Sequence, residues 1–170
     1  MSSRKRGFDI PGQDRLPQTI NRICTIVKAN SNENHQLKLG VKIDGNNTKL
    51  DSYNAAFIWI EGYAESYKRL NLVYSSGKMY YNIGGNQADS RTVRPIHYDL
   101  PLTTDTWQEV TIHIAQDHDQ AVPERPFNTL DIDRLIINLG TWTINDSKLN
   151  SPHSEQIAIF FDQISLLSTS

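Results

Sequence analysis

Apolar and polar residues alternate with a period of two along most of this chain, the pattern of strands with one face buried. Leu37, Leu39, Val41 and Ile43 alternate with Gln36, Lys38, Gly40 and Lys42, and Asp44-Gly45 closes the run with a turn signal. Leu70, Leu72 and Tyr74 alternate with Arg69, Asn71 and Val73; Ser75-Ser76-Gly77 then predicts a hairpin loop, with residues 78–83 returning as partner strand. Val110, Ile112 and Ile114 form another such run, as do Leu135, Ile137 and Leu139. Residues 55–61 (AAFIWIE) are apolar on both faces and predict a central strand covered on both sides. Near the C-terminus Ile157, Ile159 and Phe161 share one parity while Ile164 and Leu166 take the other. A slip of one residue at Asp162-Gln163 restores the register, so a β-bulge is expected there.

No segment sustains helical periodicity. A single turn is expected around Pro126 to Leu130, and Gln116 to Asn128 and Asp146 to Glu155 read as long loops. The expected fold is all-β: a two-sheet antiparallel β-sandwich of the jelly-roll kind. At 170 residues the chain is expected to form one domain, with residues 1–12 as a flexible or edge N-terminal arm.

Charge narrows the choice of ligand. The formal net charge is −2 and charged residues make up 21%, which gives no electrostatic reason to expect nucleic acid. Arg4-Lys5-Arg6 reads as a solvated tail. No run of 18 apolar residues predicts a membrane helix, and residues 1–12 show no signal-peptide core. Cys24 is the single cysteine, so no internal disulfide and no multi-cysteine zinc site can form, and its apolar neighbours predict a buried thiol. Two glycosylation-type triplets, Asn46-Asn47-Thr48 and Asn145-Asp146-Ser147, mark expected surface loops.

The sequence has no nucleophile elbow, phosphate loop or zinc-binding H-E-x-x-H helix. Gly84-Gly85-Asn86 reads as a turn, and Asp117-His118-Asp119 as a solvated turn, because adjacent loop residues seldom converge on one ion. Asp131 and Asp133 fit a loop-to-strand entry better than a pair of catalytic carboxylates. The positions that alternate with the core set carry more chemistry. They include Trp59, Glu61, Arg69, Asn71, Tyr80, Asn82, Glu109, Thr111, His113, Arg134 and Asn138. An aromatic ring offers an apolar platform to the C–H face of a pyranose, while amide, guanidinium and carboxylate groups bond to its hydroxyls. The pattern leaves open whether Phe57 and Trp59 or Ile58 and Ile60 face the core.

The segment Asp133-Arg134-Leu135-Ile136-Ile137-Asn138-Leu139-Gly140, then Trp142 and Ile159-Phe160-Phe161-Asp162-Gln163-Ile164-Ser165-Leu166, resembles the end of jelly-roll carbohydrate-binding modules. Those modules belong to the galactose-binding-domain-like superfamily. Residues 106–111 (TWQEVT) resemble the strand entry that precedes this segment in them. The resemblance implies non-catalytic binding of an oligo- or polysaccharide on a concave sheet face or at loop tips. It further implies a structural calcium, with Asp162 at the position of a ligating aspartate and Asp9 as a second contributor. Trp107 and Trp142 are expected to pack structurally, with Trp142 also a candidate for lining the site. A monomer that contacts neither nucleic acid nor membrane is expected, extracellular if it serves a glycan-degrading system. Two other functions fit the same residues: a small jelly-roll lyase or hydrolase using Tyr80, Glu109, His113 and Arg134, or a protein-interaction module.

Overall fold

A computed structural model describes residues 4–7, 17–44, 54–76, 93–144 and 158–169. In chain order the elements are β1 (Arg4–Gly7), β2 (Pro17–Lys28), β3 (Asn34–Ile43), β4 (Asn54–Ala64), β5 (Tyr67–Ser76), β6 (Ile96–Asp99) and β7 (Gln108–His113). There follow α1 (Ile114–Ala121), a 3-10 turn at Phe127–Thr129, β8 (Arg134–Ile144) and β9 (Ile159–Thr169). They build an all-β sandwich whose sheets run β1-β2-β8-β4-β5-β6 and β7-β3-β9. The pairing is antiparallel apart from β5 with β6, which is parallel. Arg4–Gly7, read from sequence as a solvated tail, is an edge strand against the start of β2.

The alternating residues fill the space between the sheets. Leu37, Leu39 and Val41 of β3 and Val110 and Ile112 of β7 meet Ile58, Ile60, Leu70, Leu72, Leu135, Ile137 and Leu139 of the larger sheet. Each such side chain contributes about 1.5–3 kcal/mol when removed from water. Strand β4 lies between β5 and β8 and is buried on both faces, as its unbroken apolar run predicts. Ile58 and Ile60 point into the core. Phe57 and Trp59 point the other way, into a second buried cluster with Ala55, Val73 and Trp142. At Gly140 the backbones of β8 and β2 come so close that a β-carbon would collide with the Asn21 carbonyl oxygen.

Strand β9 carries the expected bulge. Lys38 pairs with Ser165 and Gly40 with Asp162, so three steps on β9 match two on β3, and Gln163 takes a positive φ of 49°. The extra residue returns Leu166 to the core side that Phe161 also faces.

Three expectations are corrected. Ser75 and Ser76, expected in a hairpin loop, end strand β5 and pair with Phe57 and Ala56. Residues 116–121, expected in a loop, belong to helix α1. Eight residues make about two turns, and the helix buries only Ile114 and His118, too short an apolar stripe to show as periodicity. Cys24, expected buried, is exposed. Beyond residue 20, β2 pairs only with β8 among the described residues, and its apolar residues Ile23 and Ile26 are exposed as well.

Helix α1 closes one side of the sandwich. The Tyr74 hydroxyl of β5 donates to Asp117 Oδ2 at 2.6 Å, and the Tyr98 hydroxyl of β6 donates to the Asp117 carbonyl oxygen. The two rings stack with centroids 5.0 Å apart. Burial, with the Asp117 carboxylate alongside, pushes both phenols above their ordinary pKa. The folded state therefore favours neutral tyrosine. This stabilisation is complete below the unfolded value of about 10 and is lost as pH rises above it. Denaturant midpoints should hold from pH 7 to 9 and fall by pH 11. Tyr74→Phe should lower the midpoint at neutral pH, by about 1–2 kcal/mol for a lost charge-assisted bond, and flatten the alkaline decline.

Candidate functional site

The outer face of the three-stranded sheet is open to solvent. Strand pairing sets its side chains in rows across β7, β3 and β9: His113–Gln36–Leu167, Thr111–Lys38, and Glu109–Gly40–Asp162. Ser165 lies beside Lys38, and Phe160 beside Lys42. One position in this grid has no side chain, Gly40, and the indole of Trp107 lies against it. A β-carbon on Gly40 would be 3.5 Å from Trp107 Cε3 and 3.5 Å from the Asp162 carbonyl oxygen, ordinary contact distances. Alanine would therefore fit, in ordinary contact with the indole that covers this position. Beside the ring lies a groove of about 390 Å³ lined by Lys38, Trp107, Glu109, Asp162, Gln163 and Ser165, among others.

The loop that carries Trp107 is tied down on both sides. The Asp105 amide donates to the Ile43 carbonyl at 2.7 Å, fixing the loop to the end of β3. The Gln108 side chain donates to the Thr103 carbonyl at 2.9 Å and accepts from the Thr103 amide at 3.2 Å. Trp107 is nevertheless 51% exposed. It is thus a fixed aromatic surface facing water. Lys38, Glu109 and Asp162 line the groove and form no ion pair with one another among the described residues. Asp162 Oδ1 accepts the Gln163 amide at 2.8 Å, which holds the carboxylate at the bulge.

The outer face of the larger sheet is built differently. Trp59, Asn71 and Asn138, expected to face outward, do point away from the core, but they are buried there. Trp59 Nε1 donates to Asn71 Oδ1 at 2.8 Å, and Asn71 Nδ2 donates to the Val93 carbonyl at 3.1 Å. Arg22 Nη1 donates to Asn138 Oδ1 at 2.9 Å, while Asn138 Nδ2 donates to the Trp59 carbonyl at 3.2 Å and Glu61 Oε2 at 3.3 Å. Glu61 also pairs with Lys68 and accepts from the Tyr63 hydroxyl at 3.2 Å. Burial and the Glu61 carboxylate push the Tyr63 phenol up to about 12, so it remains a neutral donor. The Arg22 guanidinium and the Lys68 ammonium each lie 5.4 Å from the Trp59 ring centroid. With 6% exposure, this ring offers a sugar no free face. Trp142 is fully buried in the apolar cluster beside it.

The remaining expected site residues fall as follows. Arg69 sits where the β4–β5 register shifts, with its guanidinium 5.8 Å from the Tyr67 ring. Arg134 lies 5.3 Å from the Tyr63 ring and donates to Asp133 Oδ1 at 2.8 Å. His113 is exposed on the grooved face, 3.3 Å from Gln36 Nε2. Glu109 and His113 therefore occupy one outer face and Arg134 the other, with the thickness of both sheets, about 10 Å apart, between them. These three cannot act on one bond. Tyr80, Asn82 and Asp9 lie outside the described residues, as do the expected strand at 78–83, the Gly84-Gly85-Asn86 turn, the loop at 146–155 and both glycosylation-type triplets. Among the described residues no three His, Cys, Asp or Glu side chains converge to hold a metal. On α1, Asp117 binds Tyr74, while the buried His118 has Nδ1 3.1 Å from Asp119 Oδ1, which also accepts the Phe127 amide at 2.6 Å.

Sequence reasoning treated Trp107 as a packing residue. The signal that could have marked it was the outward glycine at position 40, but only strand pairing brings the two together.

The fold and this face define an all-β sandwich with an open aromatic and polar groove on its smaller sheet. No protein-family model matches the chain, and no curated protein sequence matches it.

The buried network has a measurable energetic consequence. Glu61→Ala leaves Lys68 without its carboxylate and should destabilise by about 3 kcal/mol in urea denaturation. Glu61→Gln, which keeps an acceptor for Tyr63, should cost less. Equal losses would mean that hydrogen-bond geometry rather than charge dominates the cluster.

Proposed function

We propose that this protein binds saccharides without transforming them, and that the groove beside Trp107 is where they bind. The observation that carries this reading is a half-exposed tryptophan on a pinned loop beside the solvent-facing groups of Lys38, Glu109 and Asp162. A pyranose has an apolar C–H face and a rim of hydroxyls. The indole matches the first, while Lys38 donates to the second and Glu109 and Asp162 accept from it. A pinned loop loses little freedom on binding, which favours affinity from few contacts. The resemblance of the β8 and β9 segments to carbohydrate-binding modules supports the same reading.

The test is retardation in native gels cast with a panel of polysaccharides. Wild type should be slowed by at least one polysaccharide, and Trp107→Ala should migrate as in a blank gel. Because Trp107 is half exposed, its removal should shift stability by only about 0.5 kcal/mol. Loss of binding with Trp59→Ala in a folded protein, and none with Trp107→Ala, would move the site to the larger sheet. A blank panel for folded wild type would reject saccharide binding and favour a protein partner.

A further inference from the structure

Strand β2 leaves an edge of the larger sheet open. β1 covers that edge only as far as Ile20, whereas β2 continues to Lys28 against β8 in unbroken register. Among the described residues no strand lies beyond residues 21–28 on that side. An uncovered edge is a template for another strand, and proteins usually blunt it with proline, a bulge or a charged side chain. Residues 21–28 (NRICTIVK) hold no proline and no bulge. Arg22 is folded onto the sheet, where it donates to Asn138 and lies over the Trp59 ring, and so does not guard the edge. Between Arg22 and Lys28 the chain is uncharged, with Ile23 67% exposed and Ile26 65%. The other free edges among the described residues are poorer templates. β1 and β6 have four residues each, β7 has six, and β9 is interrupted by its bulge.

We infer that this edge pairs with the same edge of a second copy, giving a two-fold dimer with one sheet continuous through both protomers. A closed pair of identical edges is related by a two-fold axis normal to the sheet, which sets the strands antiparallel. The axis keeps each side chain on its own face, and directly opposed residues share a face. Only residues of equal parity can then oppose one another, and β1 keeps either strand from pairing before residue 21. Two registers use most of the edge. One opposes Thr25 to Thr25 and sets Arg22 against Lys28 on both sides of the axis, like charges face to face. The other opposes Cys24 to Cys24, pairs residues 21–27 with their copies and sets Arg22 against Ile26, with Lys28 beyond the ladder. Charge selects the second. In it the two Ile23 side chains are diagonal neighbours on the inner face, the side on which Val27 meets the core. Ile26 neighbours Cys24 of the second copy on the outer face. The most exposed apolar residues of β2 thus cover one another. This dimer takes the place of the monomer expected from the sequence and does not depend on saccharide binding.

The test is sedimentation velocity of the full chain from micromolar to millimolar concentration, joined to disulfide trapping with copper phenanthroline. Wild type should pass from 19.4 kDa to twice that mass as concentration rises, and stop there. Ile23→Lys and Ile26→Lys, both at exposed positions, should keep the thermal midpoint of dilute wild type and weaken dimerisation about tenfold or more. Oxidation should trap wild type through Cys24, since opposed Cα atoms lie about 4.5–5.5 Å apart, within disulfide reach. Cys24→Ser should dimerise without being trapped. Thr25→Cys in that background should trap far more slowly, across a diagonal of about 7–8 Å. A 19.4 kDa species at every concentration, or a dimer indifferent to both lysine variants, would overturn pairing at this edge. Faster trapping through Thr25→Cys than through Cys24 would overturn the register. Growth beyond two copies would overturn the two-fold arrangement.

Discussion

Strand β4 has no solvent face, and much of the molecule follows from that. Its even-numbered residues, Ile58 and Ile60, meet the smaller sheet, and its odd-numbered residues, Ala55, Phe57 and Trp59, form a second buried layer with Val73 and Trp142. A strand buried on both sides forces its neighbours to present matching surfaces. The outward residues of β5 and β8 next to it, Asn71 and Asn138, are therefore buried as well. Polar groups taken out of water need partners: Asn71 finds them in Trp59 and Val93, and Asn138 in Arg22, Trp59 and Glu61. The larger sheet commits the chemistry of its outer face to its own cohesion. Open surface with solvent-facing polar groups is left to the smaller sheet.

The charged members of the buried network make the same point. Glu61 is held by Lys68, Tyr63 and Asn138, and the two cations flanking Trp59 lie close to its ring. Removing charges from water costs several kcal/mol per ion unless their partners are well placed. Here each charge has more than one partner, which ties β2, β4, β5 and β8 together across the sheet. On the smaller sheet Glu109, Lys38 and Asp162 carry the same kinds of group but stay solvated. The same residue types have opposite fates on the two faces, and coverage decides between them.

That distinction explains what could be read from the sequence. Period-two alternation identifies strands and the face each residue takes, so the core residues of β3, β5, β7 and β8 were legible, and so was the bulge at Gln163. Alternation cannot tell whether the other face is wet. Trp59, Asn71 and Asn138 were expected together, and the structure does bring them together, but in a buried layer. Cys24 and its apolar neighbours failed in the opposite sense: an apolar run reads as interior, whereas β2 past residue 20 has a strand on only one side. Helix α1 was missed because two turns with one buried histidine leave no periodic trace. The packing partner of Trp107 was not legible because it is Gly40, 67 positions earlier in the chain.

Gly40 and Gly140 show how a residue's packing separates structure from function. At Gly140 the backbone of β2 occupies the space of a β-carbon, so glycine is a condition for pairing β2 with β8. At Gly40 nothing stands closer than ordinary contact distance, so alanine fits. Glycine inside a strand is less stable than alanine by about 0.5–1 kcal/mol, and at position 40 the bare backbone is covered by the indole of Trp107. The fold thus requires glycine at position 140, whereas at position 40 glycine sets how closely a half-exposed ring rests on the sheet.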